Sequence, residues 1–392
     1  MDTYQFFADR TVGRYRKSDF FFIASMILLL GLGIFTLYFC SQNYAERMFK
    51  NPFHFVCRQL ICVGIGFAGF ALFACLRIEA IRKMLPALFG ITLIFCLLTF
   101  VPGISVEKNG AARWIKMPLS FTLQPSEIVK FTLVILLANF FDKQAAIVNP
   151  EERSVFPCVV TMLFFIGLVL LQQDLSTPLF IFCVCFAMFL AAGLNIKWVF
   201  AVAVVAVPLL FLFITSESYR IDRIIAFLRP EDGIHTFNYQ SIAAKRAISA
   251  GGFWGAGIGT GFVQSNRIPE VQADYIFAGW SEAMGLGGVF LYFAVLGVFA
   301  WRGYRAALFC RNRFAAYSAF GFVTMIVGQS LLNCGVVCGA LPSTGIPLPF
   351  FSVGGSSIII TMCMCGIIVN ASRCDSDNEG AADGDFVVIV QD

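Results

Sequence analysis

The chain has 392 residues, of which 58% are hydrophobic, 15% aromatic and only 13% charged. So few charges cannot cover the apolar surface of a soluble protein of this length, which excludes a water-soluble globular fold. The net charge of +4 is small and gives no reason to expect nucleic acid as a partner.

Apolar runs able to cross about 30 Å of hydrocarbon occur at 19–40, 54–76, 84–101, 126–141, 155–171, 175–194, 197–214, 275–300, 315–332 and 347–370. The expected architecture is an all-α polytopic membrane protein with about ten transmembrane helices. A membrane domain over 19–373 lies between a cytoplasmic segment, 1–18, and an acidic cytoplasmic tail, 374–392. Arg10, Arg14, Arg16, Lys17, Arg77, Arg82, Lys83, Arg302, Arg305, Arg311 and Arg313 all fall inside if the N-terminus is cytoplasmic. Both termini are then cytoplasmic, and the long loops 102–125 and 216–273 face outward, the second between helices 7 and 8. No small-residue cleavage site follows the first run, so it reads as a retained helix.

Most of the fourteen cysteines fall within the spans, where a thiol behaves as a small apolar group. His54 and His235 are the only histidines, which leaves no histidine metal cage and points any chemistry to carboxylates.

The polar sites come in chain order. Arg113 and Trp114 in Gly110–Ile115 form a cationic, aromatic lip on the outer side. In Gln124–Lys130, Pro125 and Ser126 suit a helix start, Glu127 is favoured by the helix dipole, and Lys130 shares its face. The plainer reading there is a capping carboxylate with a lysine that snorkels outward. Asp174, in Gln172–Thr177, is expected to cap the sixth helix. Tyr239–Ala250 has helical propensity, and its Lys245 and Arg246 either face lipid phosphates or make a solvated basic face. Glycines at 251, 252, 255, 257, 259 and 261 follow, a density that permits close approaches and room for something large.

Asp274 closes the long loop just before the eighth span, and a carboxylate kept at the rim of a membrane is a functional candidate by its cost alone. Glu282 is expected about 12 Å down that span. Asn333–Ser357, which contains Ser356, sets Pro342, Pro347 and Pro349 among glycines, the pattern of broken backbone that lines a cavity. The tail carries Asp375, Asp377, Glu379, Asp383 and Asp385 and ends in Phe386-Val-Val-Ile-Val, which reads as disordered or as a strand that docks on a partner. Apart from Glu282, the mid-span carboxylate, the polar sites before the tail lie on the outer side, so together they suit an anionic, membrane-anchored substrate whose polar part is outside. A pump for a small ion would instead carry acids near the midplane.

The segments GAARWI at 110–115, QPSEIVKF at 124–131, QQDLST at 172–177, YRIDRIIAFLRP at 219–230, IPEVQADYIFAGWSEAMG at 268–285 and GALPSTGIPLPFFSVGGSS at 339–357 resemble, in order, those of the SEDS family (shape, elongation, division and sporulation). Gly257–Gly261 and Pro349–Ser352 are similar to its FtsW-like branch. The resemblance covers Asp19 to Arg373 and implies a peptidoglycan glycosyltransferase of the bacterial cytoplasmic (inner) membrane, at the septum for that branch. Such an enzyme polymerises lipid II with a class B penicillin-binding protein and other divisome or elongasome proteins as partners.

The family's essential loop aspartate falls on Asp274, and its functional tryptophan, glutamate and lysine on Trp114, Glu127 and Lys130. Asp274 can act as general base on the acceptor's 4-hydroxyl. Lys130, Arg113, Lys245 and Arg246, or a divalent cation such as magnesium or manganese that Asp274 also ligates, can stabilise the diphosphate leaving group. No organic cofactor is expected; Asp174, Glu282 and Ser356 complete the candidate substrate contacts.

The chain departs from the family's pattern at several points. Gln272-Ala273-Asp274 stands for His-Thr-Asp, Glu282-Ala283 for Glu-Glu, Gln172-Gln173-Asp174 for Gln-Pro-Asp, Ser352-Val353-Gly354-Gly355 for Ser-Tyr-Gly-Gly, and Ala243-Ala244 for Gln-Ser. These departures put any help from a neighbouring imidazole in doubt. Two other readings are carried forward: a lipid II flippase, and a non-catalytic scaffold for the penicillin-binding protein.

Overall fold

The computed structural model describes residues 18–108, 111–117, 122–147, 155–193, 239–258 and 271–374, with Ile225, Phe227, Gly261, Val263 and Ile268. The expected seventh span, the first cytoplasmic residues and the acidic tail lie outside the described residues.

Helix α1 (Phe20–Phe49) starts where the Asp19 carboxylate accepts from Phe22 N at 3.0 Å, and stops where Lys50 turns left-handed at φ 53°. It outruns the expected end at residue 40 because the helix continues through Ser41, Gln42, Asn43 and Glu46, whose polarity ends the apolar run and not the helix. Then follow α2 (His54–Cys75), the short α3 (Ile78–Lys83) and α4 (Leu85–Leu98).

Three antiparallel strands come next, β1 (Ser105–Lys108), β2 (Ala111–Lys116) and β3 (Thr122–Leu123), paired in that order with a bulge between Val106 and Glu107. This small sheet is an addition to a mostly helical fold that the sequence reading did not anticipate. The overlooked signal is Asn109-Gly110 between two short segments, the commonest hairpin dipeptide.

Six more helices carry the body of the protein: α5 (Pro125–Ala145), α6 (Phe156–Leu171) and α7 (Ser176–Ala191), then, after the loop helix α8 (Tyr239–Gly251), α9 (Ile276–Phe309), α10 (Arg313–Val337) and α11 (Gly355–Ser372). Among the described residues α1, α2, α9, α10 and α11 are long and apolar enough to cross a membrane, and α4, α6 and α7 are shorter apolar helices. The chain is thus a polytopic membrane protein. Helix α5, which carries Glu127, Lys130, Asp142 and Lys143, is packed by α4, α6, α7, α10 and α11 and buries most of its length. It is a core helix inside the bundle, and for that reason its polar groups must find partners there.

The last span begins at Gly355, eight residues later than hydropathy indicates. Residues 347–354 are apolar, yet Pro347 and Pro349 supply no amide donors and Phe350 holds φ 67°. They form an irregular segment at the head of α11.

Helix α9 is broken at Gly285, whose φ of 62° and ψ of −161° are open essentially to glycine alone. The turn after α8 clasps this break. Ala256 N donates to Glu282 O at 2.8 Å, Gly257 N to Ala283 O at 3.2 Å, and Leu286 N to Gly252 O at 3.0 Å. A Cβ on Gly285 would lie 2.3 Å from Gly255 N. Gly251 and Gly255 of the glycine-rich run therefore serve the close approach of two backbones.

Gly285→Ala is expected to cost about 1–3 kcal/mol from backbone strain, plus whatever the clasp must yield to make room. A lowered melting temperature in detergent would register it; an unchanged one would mean that the break is not rigid.

The break also fixes depth. Taking the arginine-rich end as cytoplasmic, Arg302 on α9 pairs there with Asp19 at 2.6 Å. From Arg302 back to Gly285 the helix rises about 25 Å, nearly the thickness of the hydrocarbon. Glu282, expected about 12 Å down the span, thus lies close to its outer boundary. It accepts from Val263 N at 2.9 Å and is 3% exposed.

Candidate active site

Asp274 is half-buried and immediately precedes Tyr275, the N-cap of α9. Its backbone oxygen accepts from Asn333 Nδ2 at 2.9 Å, and the same amide nitrogen donates to Ile346 O at 2.8 Å. One α10 side chain thereby joins the base of α9 to the irregular 339–354 segment. Val353 N donates to Gln272 O at 2.9 Å, a second tie between the same two stretches. A side chain at Gly345 would stand 3.6 Å from Asp274 Oδ2, so the carboxylate faces this segment across a position without a Cβ.

One turn down α10 from Asn333, Gln329 continues the network. Its Nε2 donates to Pro347 O at 2.8 Å, and its Oε1 accepts from Lys130 Nζ at 2.7 Å. Lys130 also pairs with Glu127 at 2.8 Å, and the two side chains are 2% and 4% exposed. The lysine therefore does not snorkel outward. Sealed in a low dielectric, it is held by one carboxylate and one amide, the arrangement that makes a buried charge tolerable. From the main-chain oxygen of Asp274 to Glu127 a continuous path runs through Asn333, the Ile346–Pro347 backbone, Gln329 and Lys130.

Other sequence candidates attach around this path. Gln124 N donates to Ser356 Oγ at 3.3 Å, which ties the start of α5 to the start of α11. Arg113 Nη2 donates to Gln173 O at 2.5 Å, so the lip at 110–115 meets the turn at 172–177, with Trp114 half-buried beside it. Asp174 accepts from Thr177 N at 3.3 Å and Thr177 Oγ1 at 2.8 Å, the capping duty expected of it.

Lys245 and Arg246 are exposed on α8. The Lys245 stem lies across Gly339, where a Cβ would overlap its Cε. Ala243 and Ala244, 8% and 0% exposed, pack α8 onto α9.

Sequence reading missed Gln59 and Gln329, and took Asn333 only as the first residue of the 333–357 segment. Gln59 on α2 donates to Ser352 O at 3.2 Å and so supports the same irregular segment from the other side. Each is an amide inside an apolar run, and Gln329 and Asn333 are four apart on one face. An isolated polar group at membrane depth was the available signal.

Among the described residues no three His, Cys, Asp or Glu side chains converge in a way that could hold a metal ion. The described side chains therefore form no ready-made site for a divalent cation.

A family model described as cell cycle protein, named for FtsW, RodA and SpoVE, matches residues 19–377. A probable peptidoglycan glycosyltransferase FtsW of Geobacter metallireducens is 34% identical over 359 residues, covering 91% of this chain and 95% of that protein. Stage V sporulation protein E of Bacillus subtilis is 31% identical over 357 residues, covering 91% and 97%. Among solved structures, the rod shape determining protein RodA of Thermus thermophilus superposes with a TM-score of 0.66 at 23% identity, over 91% of this chain and 97% of that one. A chain of a peptidoglycan synthase complex that coordinates polymerization and crosslinking gives a TM-score of 0.75 at 24% identity, over 93% and 100%.

Proposed function

We infer that the chain, which belongs to the FtsW/RodA/SpoVE family of cell cycle proteins, is a peptidoglycan glycosyltransferase that polymerises lipid II at the outer face of the bacterial cytoplasmic membrane. The relatives at 31–34% identity that bear the name peptidoglycan glycosyltransferase FtsW support the reaction and the FtsW-like branch, and with it a role at the septum. The observation that carries the site is the path from Asp274 through Asn333 and Gln329 to the buried Lys130–Glu127 pair.

In this reading the Asp274 carboxylate takes the proton of the acceptor sugar's 4-hydroxyl. The oxygen then attacks the donor's anomeric carbon from the side opposite the diphosphate. The bond from that carbon to the diphosphate oxygen breaks, configuration inverts, and undecaprenyl diphosphate departs with the electron pair. The exposed Lys245 and Arg246, and Arg113 at the lip, supply positive charge for the leaving group. Magnesium or manganese would arrive on the diphosphate itself, with Asp274 as a protein ligand. Lys130 and Glu127, already paired, act by holding Gln329 and the 345–347 segment in register with Asp274.

A class B penicillin-binding protein is the partner in this reading. The likeness to a chain of a complex that couples polymerization to crosslinking motivates it. The test is polymerisation of lipid II by the purified protein in vesicles, alone and with its cognate penicillin-binding protein, with translocation of labelled lipid II followed in parallel. Glycan strands are the expected product. Translocation without polymer would replace the enzyme with the flippase, and neither activity, with the penicillin-binding protein still bound, would leave the scaffold.

A further inference from the structure

The turn that clasps the break in α9 exposes an aromatic pair for which the proposed chemistry has no use. Phe253 is 58% exposed and Trp254 88%, their rings edge to face with centroids 5.1 Å apart. The apolar face of α8 does not reach lipid, because Ala243, Ala244, Ala247 and Gly251 are buried where it packs on α9. What this stretch offers to its surroundings is therefore the aromatic pair.

Depth says what those surroundings are. The clasp hydrogen-bonds to Leu286 and Gly287, and Gly285 stands about 25 Å above the Asp19–Arg302 pair, a few ångströms inside the outer edge of the hydrocarbon. Leu286 is 42% exposed and Phe290, one turn on and on the same face, is 66% exposed. The lipid-facing strip of α9 thus runs up to the clasp without interruption. An indole at this level has its ring against acyl chains and its N–H among headgroups, the position tryptophan prefers in membrane proteins.

We propose that Phe253 and Trp254 are an interfacial wedge in the outer leaflet, occupied by phospholipid, which fixes the α8 turn and, through its backbone hydrogen bonds to the break, the short segment of α9 that Asp274 precedes. The wedge is then a positioning device for the carboxylate, and that second part rests on the reading of Asp274 as the base.

The test uses the full chain in vesicles of phosphatidylcholine brominated either near the glycerol or near the chain end. The fluorescence lost on Trp254→Phe is expected to be the component quenched most by bromine near the glycerol. Equal quenching of parent and variant, as a covering protein or plain water would give, overturns the wedge, and so does stronger quenching by bromine at the chain end. A Phe253→Ser/Trp254→Ser variant is expected to polymerise lipid II several-fold more slowly in vesicles; an undiminished rate overturns the positioning role. Because quenching is read without turnover, a parent that failed to polymerise would count against the enzyme and leave the wedge standing.

Discussion

Asp274→Ala and Asp274→Asn are both expected to lower lipid II polymerisation by about 10²- to 10⁴-fold, the usual contribution of a positioned general base. The two variants should be equally poor, since asparagine keeps the shape of the side chain but cannot accept the proton. Neither should unfold the protein. Asn333 holds the backbone oxygen of residue 274, which survives either substitution, and Gln272 keeps its tie to Val353. A melting temperature close to the parent's, with polymer absent from the gel, is the predicted pair of results. Polymer at the parental rate would remove Asp274 from the chemistry and favour a scaffold. A variant that melts much earlier would mean the carboxylate is structural.

Much of this site was legible because membrane burial makes polar groups conspicuous. Glu127, Lys130 and Asp274 stand out against apolar surroundings, and their motifs fall in an order that few other chains would match. Hydropathy has no view of the backbone, however. It extended the last span over Pro347 and Phe350, where the chain is irregular, and it ran the eighth span through Gly285, where the helix breaks.

The small sheet escaped for a related reason. A strand of four to six residues outside the bilayer leaves no long apolar run, and its hairpin signal was one dipeptide in a loop scored for charge. Gln329 was passed over, and Asn333 taken only as the edge of a polar segment, because an amide lowers the mean hydropathy of a span only slightly. What marks them is their partners, which are main-chain oxygens from a segment that sequence alone does not bring near α10.

The second large effect is expected at Lys130. Lys130→Met leaves the Glu127 carboxylate 3% exposed with its cation gone, and breaking a buried pair from one side costs about 3–5 kcal/mol. Removing both charges should cost much less, because replacing a whole buried pair with apolar or neutral groups of similar volume is often close to neutral. Glu127→Gln/Lys130→Met should therefore melt well above Lys130→Met. Polymerisation should not recover with it. Gln329 Oε1 has lost its donor in both variants, and the amide that holds Pro347 O is no longer fixed from behind. A double variant that regains both stability and rate would confine the pair to the fold. One that regains stability alone would show that a lysine buried on α5 reaches the carboxylate at the head of α9 through the orientation of Gln329 and the segment it holds.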